Sequence, residues 1–283
     1  MVIRALVFPV VLGASLALTL LAIRAGYSAP AAIVVATLMS GVILLLLEPV
    51  IPYRSDWRRP VIKSGVDLLH VLSTGLTTHL FGALCFGAMF LVAQNFSTWI
   101  GGDLWPTRLP VVIQLGLALI IGDFGAYWVH RTCHNGTLLW RLHAMHHTSE
   151  RLQVLSSARN HPGNAIFAYG SQVIPLILLG ANAEVLAALS VFTAVHGLLQ
   201  HGNVDLRYGV FSYVFATADL HRWHHSVNFE ESNTNFGSNL ALWDHVFGTF
   251  HHPGGAPERV GLDDLAVREN FGAHLVLPVT MRD

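Results

Sequence analysis

Apolar stretches, each long enough to cross a bilayer, recur along this chain and narrow its possible folds more than any other feature. A membrane span needs about 20 apolar residues. Residues 5–23 (ALVFPVVLGASLALTLLAI) meet that length between Arg4 and Arg24. The competing reading is a cleaved signal peptide, but no small-x-small cleavage site precedes a soluble domain. Residues 31–51 form a second span, closed by the prolines of "EPVIP", because proline lacks the N–H that the next helical turn needs. Residues 66–93 and 109–129 give a third and a fourth. Residues 165–180 and 183–200 form an apolar hairpin turned at "GANAE", either spanning the membrane or dipping in and returning.

The polar segments orient these spans. Residues 52–65 carry Arg54, Arg58, Arg59 and Lys63, and residues 131–160 carry Arg131, Arg141, Arg151 and Arg159. By the positive-inside rule both face the cytoplasm. Residues 94–108 then make a short loop on the far side, with Trp99 and Trp105 as interfacial anchors. Residues 202–283 read as ordinary soluble chain without a long apolar run. Only 12% of residues are charged, against about a quarter in soluble domains. The net charge of −1 gives no reason to expect nucleic acid as a partner. Cys85 and Cys133 cannot build a disulfide framework, and no CxxC knuckle is present. With no linker or repeat dividing it, the chain is expected to form one all-α domain over 1–283. That domain is a polytopic transmembrane bundle with a cytoplasmic helical cap.

The chain has 17 histidines, and most fall between 130 and 252. Residues three and four apart share a helix face. His130 and His134 are such a pair at the end of the fourth span. His143 pairs with His146 and His147, and His221 with His224 and His225, so "HAMHH" and "HRWHH" repeat one spacing. Imidazole nitrogen suits zinc, copper, iron and nickel. Eight such ligands exceed the four of one tetrahedral site, which points to two ions. His201 and His196 are further candidates, although five residues apart is poor for one helical face. His161, in "RNHPG", is open between ligand, substrate contact and plain loop residue. The absence of HExxH argues against a zincin protease. No fixed Cys or Met pattern suggests copper. Two all-nitrogen ions at a lipid boundary suit iron and oxygen chemistry.

The series His130, His134, His143, His146, His147, His221, His224 and His225 resembles the fatty acid hydroxylase and sterol desaturase superfamily of membrane di-iron oxygenases. So do the surrounding words "DFGAYWVHR", "LLWRLHAMHH", "QHGNVDL", "DLHRWHHS" and "NTNFGSNLALWDHVFGTF". The resemblance covers about 120–250. It makes 109–252 the catalytic region and leaves 1–100 as spans with little family character. It implies two iron ions, O2 as co-substrate and hydroxylation of a C–H bond of a bilayer lipid (fatty acyl, sterol or related). Desaturation by the same site is the runner-up. A separate electron donor is implied, because no flavin, NAD or iron–sulfur motif is present. A membrane zinc hydrolase and a metal transporter are the rivals. Transport sites usually lie near the midplane, whereas these histidines cluster outside the spans.

Asp123 lies within the fourth span, where a charge costs about 2.5–3.5 kcal/mol. It precedes His130 on the same face, so it is expected to hold an imidazole N–H from outside the ligand shell. Asp219, and also Asp244, flank the last box in the same capacity. His70 and His79 are expected to make helix–helix contacts, and His245 and His251 to be packing residues. Tyr127 and Trp128 read as interfacial anchors. "HPGG" at 252–255 matches a haem-ligand phrase, but too little chain follows it for that domain.

Overall fold

The computed structural model describes residues 2–58, 65–100, 102, 104–262 and 269–281. Arg59 and Lys63 of the basic loop lie outside the described residues. Among the described residues eleven α-helices account for nearly all regular structure: α1 (Val2–Arg24), α2 (Ala29–Leu47), α3 (Gly65–Ile100), α4 (Val111–Asn135), α5 (Thr137–His147), α6 (Pro162–Leu178), α7 (Ala183–His201), α8 (Ala218–His224), α9 (Phe229–Ser232), α10 (Leu242–Phe247) and α11 (Phe271–Thr280). Among the described residues the only β-structure is three isolated bridges. The expected all-α class is the one observed.

Among the described residues five helices are long and apolar enough to cross a membrane: α1, α2, α3 over Gly65–Met89, α4 and α7. Their outer faces carry exposed leucine and valine, such as Leu21, Leu46, Leu72, Leu84 and Val112. In water such a surface would mark an unmet partner; here the lipid tails are that partner. Of the apolar hairpin, α7 reaches span length and α6 has 17 residues.

Local sequence sets the helix ends. Ser28 precedes α2 with proline in its first turn, where a missing N–H costs nothing. The "GANAE" turn works because Gly180 takes φ 89° and the Asn182 side chain accepts from Val185 N at 3.0 Å. His161 caps α6 in the same way, its Nδ1 accepting from Gly163 N at 3.1 Å, with Pro162 following.

α1 and α2 pack on each other and on α7; α7 packs on α4, α4 on α6, and α6 on α3. Val7, Phe8, Leu12, Leu44, Leu115, Leu189, Phe192 and Leu199 belong to the one large core. α4 and α6 meet backbone to backbone at Gly122 and Gly125. A Cβ on Gly125 would lie 2.3 Å from the Ser171 carbonyl oxygen. Small residues at such crossings are what allow membrane helices to approach closely.

Three details depart from the sequence expectations. α3 continues through residues 94–100, so the far-side loop is shorter than 94–108. Trp99 is exposed, but Trp105 is buried in the main core, its Nε1–H donating to Gln114 Oε1 at 2.8 Å. An indole buried with a satisfied N–H is a packing group rather than an interfacial anchor. The segment after α7 is no separate soluble tail. It clips to the end of α2 through Asp205 N to Ile51 O at 2.9 Å and Tyr53 N to Asn203 O at 3.2 Å. The buried Glu48 carboxylate then accepts from Val154 N at 2.8 Å and Asn203 N at 2.9 Å, gathering three distant stretches beneath the bundle.

Candidate metal centre

Helical geometry distributes the histidines. Each residue turns the helix by about 100°, so residues four apart nearly align while neighbours diverge. In α5, His143 and His147 therefore face one way and His146 another. In α8, His221 and its C-terminal neighbour His225 align, and His224 points aside. The two boxes face each other and interchange these members. His130, His134, His143, His147 and His224 form one group, and His146, His201, His221 and His225 a second. Within each group the ligand nitrogens lie within 4.8 Å of one another. The groups are neighbours: the His147 and His225 rings stack at 4.3 Å, and those of His221 and His224 at 5.4 Å.

The outer nitrogens decide the tautomers. His130 Nδ1–H donates to Phe236 O at 2.8 Å and His224 Nδ1–H to Thr234 O at 2.8 Å. His146 donates likewise to Arg159 O at 3.2 Å and His201 to Gly197 O at 2.9 Å. A carbonyl can only accept, so the network assigns the proton of each ring to Nδ1. Each Nε2 is left with its lone pair turned inward. Nonetheless the Nε2 atoms of His146 and His201 lie 3.2 Å apart, and those of His221 and His201 3.1 Å. In the other group His143 Nε2 is 3.1 Å from both His130 Nε2 and His147 Nε2. Between His146 and His201 there is no proton to share, and two lone pairs face each other.

A cation removes that conflict. Metal–imidazole bonds are about 2.0–2.1 Å, which puts neighbouring nitrogens about 3 Å apart around one ion. The buried His134 Nε2 and His224 Nε2 also make no hydrogen bond within the protein. The residues present thus fit two metal ions, one in each group.

The groups differ in access. The second is wholly buried, while His130 and His134 of the first are half-buried. Trp140 stands beside the first group, its ring 5.3 Å from His134 and 5.7 Å from His147.

His196 joins neither group. It sits about 140° around α7 from His201, among the rings of Phe8, Phe192 and Phe215. His161, besides capping α6, donates from Nε2 to Leu275 O at 3.3 Å in α11. Asp123 touches no imidazole: it accepts from Asn239 N at 2.8 Å and Leu240 N at 3.0 Å. Asp219 also stays away from the box rings. It takes hydrogen bonds from Thr217 Oγ1 and, at 2.7 Å, from Ser212 Oγ, and pairs with His252, ordering the start of α8. Asp244 holds Phe236 N and Gly237 N at 2.7 and 2.8 Å. Cys133 is buried against Asn164 and lies in neither histidine group.

Sequence reading missed the carbonyls that orient the rings. The one available signal was "NTNFG", where Asn235 takes φ 54° just before Gly237. The helix–helix contact expected of His70 is present: its Nε2 lies 2.9 Å from His274 Nδ1, joining α3 to α11, though the partner itself was not foreseen.

Burial, reinforced by neighbouring imidazoles, pushes His143, His146, His147, His221, His224 and His225 well below the usual 6.5. They are therefore neutral and ready as ligands near neutral pH. As pH falls through the unfolded value, the unfolded chain binds protons that the folded chain refuses, so stability falls with acid. The metal-free protein is expected to lose apparent melting temperature steeply below about pH 6.5. A profile flat from about pH 7.5 to about 5.5 would contradict these burial assignments.

The comparisons with known proteins converge on one family. The fatty acid hydroxylase family model matches residues 115–249. This region, which contains both histidine groups, is similar to the fatty acid hydroxylase family. It is 39% identical over 214 residues to the ornithine lipid hydroxylase of Rhizobium tropici, covering 75% of this chain and 64% of that protein. It is 31% identical over 130 residues to human alkylglycerol monooxygenase (45% of this chain, 28% of the other). It is 28% identical over 149 residues to a Δ7-sterol 5(6)-desaturase of Aspergillus fumigatus (52% and 42%). The chain thus spans less than two thirds of the length of these relatives. No solved structure matches it.

Proposed function

We propose that this protein is a multi-pass membrane oxygenase that hydroxylates a lipid, with one iron ion in each histidine group. The observation that carries the reading is the inward-facing lone pairs of His146 and His201, held there by carbonyls on their outer nitrogens. The all-imidazole donor set admits iron as well as zinc, and the hydroxylase and monooxygenase names of the relatives favour iron. When bound, the two ions supply activation of O2 and the oxidising power to break an unactivated C–H bond.

The chain's own residues supply position and exclusion. α4 runs from the bilayer directly into the first group, so a lipid can move along it to His130 and His134 without leaving apolar surroundings. The half-buried side of the first group, beside Trp140, is where substrate arrives. The second group, sealed by α7 and α8, keeps water out. Ornithine lipids are the first substrates to test, because the R. tropici relative is named for them. Desaturation by the same site is the second reading, favoured by the sterol desaturase relative. The arginines at 54, 131, 141 and 151 favour a cytoplasmic position for the histidine groups by the positive-inside rule. A separate protein or reduced cofactor delivers the electrons.

Metal analysis of the purified protein, combined with oxygen uptake on a lipid extract, tests this. About two irons per chain and lipid-dependent uptake are expected. Zinc with anaerobic turnover would instead indicate a hydrolase, and metal flux in liposomes a carrier.

A further inference from the structure

The two histidine groups are held from outside by different buried carboxylates, and the two supports share no residue. For the first group the support is the loop 234–240. Its carbonyls at Thr234 and Phe236 fix His224 and His130. Two aspartates hold the other side of that loop. Asp244 accepts from Phe236 N and Gly237 N at 2.7 and 2.8 Å, and from Thr249 Oγ1 at 2.7 Å. Asp123 reaches out of α4 to accept from Asn239 N, Leu240 N and, at 3.3 Å, Asn239 Nδ2. Both carboxylates are buried, at 0% and 1% exposure, so each loses its hydration and is compensated by loop N–H groups. Gly237 is required here: a Cβ would lie 2.1 Å from Leu240 O and 2.8 Å from Asp244 Oδ2.

For the second group the support is the segment 158–159. The Arg159 carbonyl fixes His146. The Arg159 side chain, 3% exposed, is gripped by Asp67 of α3 at 2.5 Å and by Glu269. Thr74, one helical face along α3, holds the Ala158 carbonyl at 2.9 Å.

We infer that Asp123 and Asp244 are positioning residues for the first metal site alone, and Asp67 with Arg159 for the second alone, so that the two sites can be weakened independently. The inference rests on the two-ion reading above. It requires no contact between any of these carboxylates and a metal; each acts by fixing the carbonyl that sets a ring's tautomer and aim.

The test loads the full-length protein with ⁵⁷Fe in detergent and records iron per chain, Mössbauer spectra and the rate of iron loss to a chelator. Five nitrogens in one group and four in the other give two distinguishable signals in the parent. Asp244→Asn and Asp123→Asn each turn an amide N–H toward loop N–H donors. Both are expected to alter one signal and to speed iron loss from that site about tenfold, leaving the other signal unchanged. Asp67→Leu is expected to alter the other signal. Should these variants fail to fold, Thr249→Ala and Thr74→Val each remove one outlying hydrogen bond and give the same site preference at smaller amplitude. Equal loss at both sites in every variant, or no change in any, overturns the inference. A parent that binds fewer than two irons overturns the two-ion reading first, and the inference with it.

Discussion

Replacing His143 with alanine is expected to abolish lipid-dependent oxygen uptake and to lower the iron content. His143 Nε2 stands between His130 and His147, 3.1 Å from each ring nitrogen, so its removal opens the middle of the first group. The residue is buried, and the methyl group of alanine leaves a polar cavity in which the remaining lone pairs lose a fixed neighbour. Changes to the outer partners of metal ligands already cost about 10–100-fold in affinity or activity. Loss of a ligand is expected to exceed about 100-fold in turnover. His224→Ala should behave alike, because His224 is the only member α8 lends to that group. His251→Ala is the contrast. Its ring packs edge-on to Trp223, while its backbone makes the hydrogen bonds to Asn235. Iron content and activity there should match the parent. Steady-state uptake and metal analysis of the three variants decide the matter; parental activity in His143→Ala would remove the site assignment.

The second large effect lies away from the histidines. Gly125→Ala is expected to destabilise the whole bundle, because the added Cβ would meet the Ser171 carbonyl oxygen at 2.3 Å. That contact is backbone against backbone, so no rotamer can relieve it; the α4–α6 crossing must open. Overpacking typically costs about 1–3 kcal/mol and occasionally more. A drop in apparent melting temperature of about 6–12 °C is expected if the upper end applies. Gly116, on the same helix but with open space around its Cβ position, is the control: Gly116→Ala should leave the melt unchanged or slightly raised. A Gly125→Ala protein that melts with the parent would show that the two helices are not locked at this crossing.

Much of this architecture was legible in the chain because two periodicities carry it. Span-length apolar runs located α1, α2 and α4, and spacing of three and four put box histidines on common helix faces. The same arithmetic marked His196 and His201 as a poor pair, and only His201 reaches a histidine group. What spacing could not give was the interchange between boxes, by which His146 and His224 each leave their own box-mates. That depends on α5 and α8 facing each other, a tertiary fact. The role of Asp123 was hidden for a similar reason. An aspartate close to His130 on one helix face suggests contact with that ring, yet its partners lie at Asn239 and Leu240, in a loop whose path no local pattern records. Trp105 was misjudged because a tryptophan near a span end is read as an anchor unless its N–H partner, here Gln114, is known.

The unequal burial of the two groups has a kinetic consequence. An ion among His146, His201, His221 and His225 sits among fully buried side chains, so its exchange is expected to follow local opening of the elements that carry them. One beside the half-buried His130 and His134 exchanges with whatever the surroundings offer. Protein prepared in iron-poor cells would then carry a faithful occupant in the inner place and a record of the growth medium in the outer one.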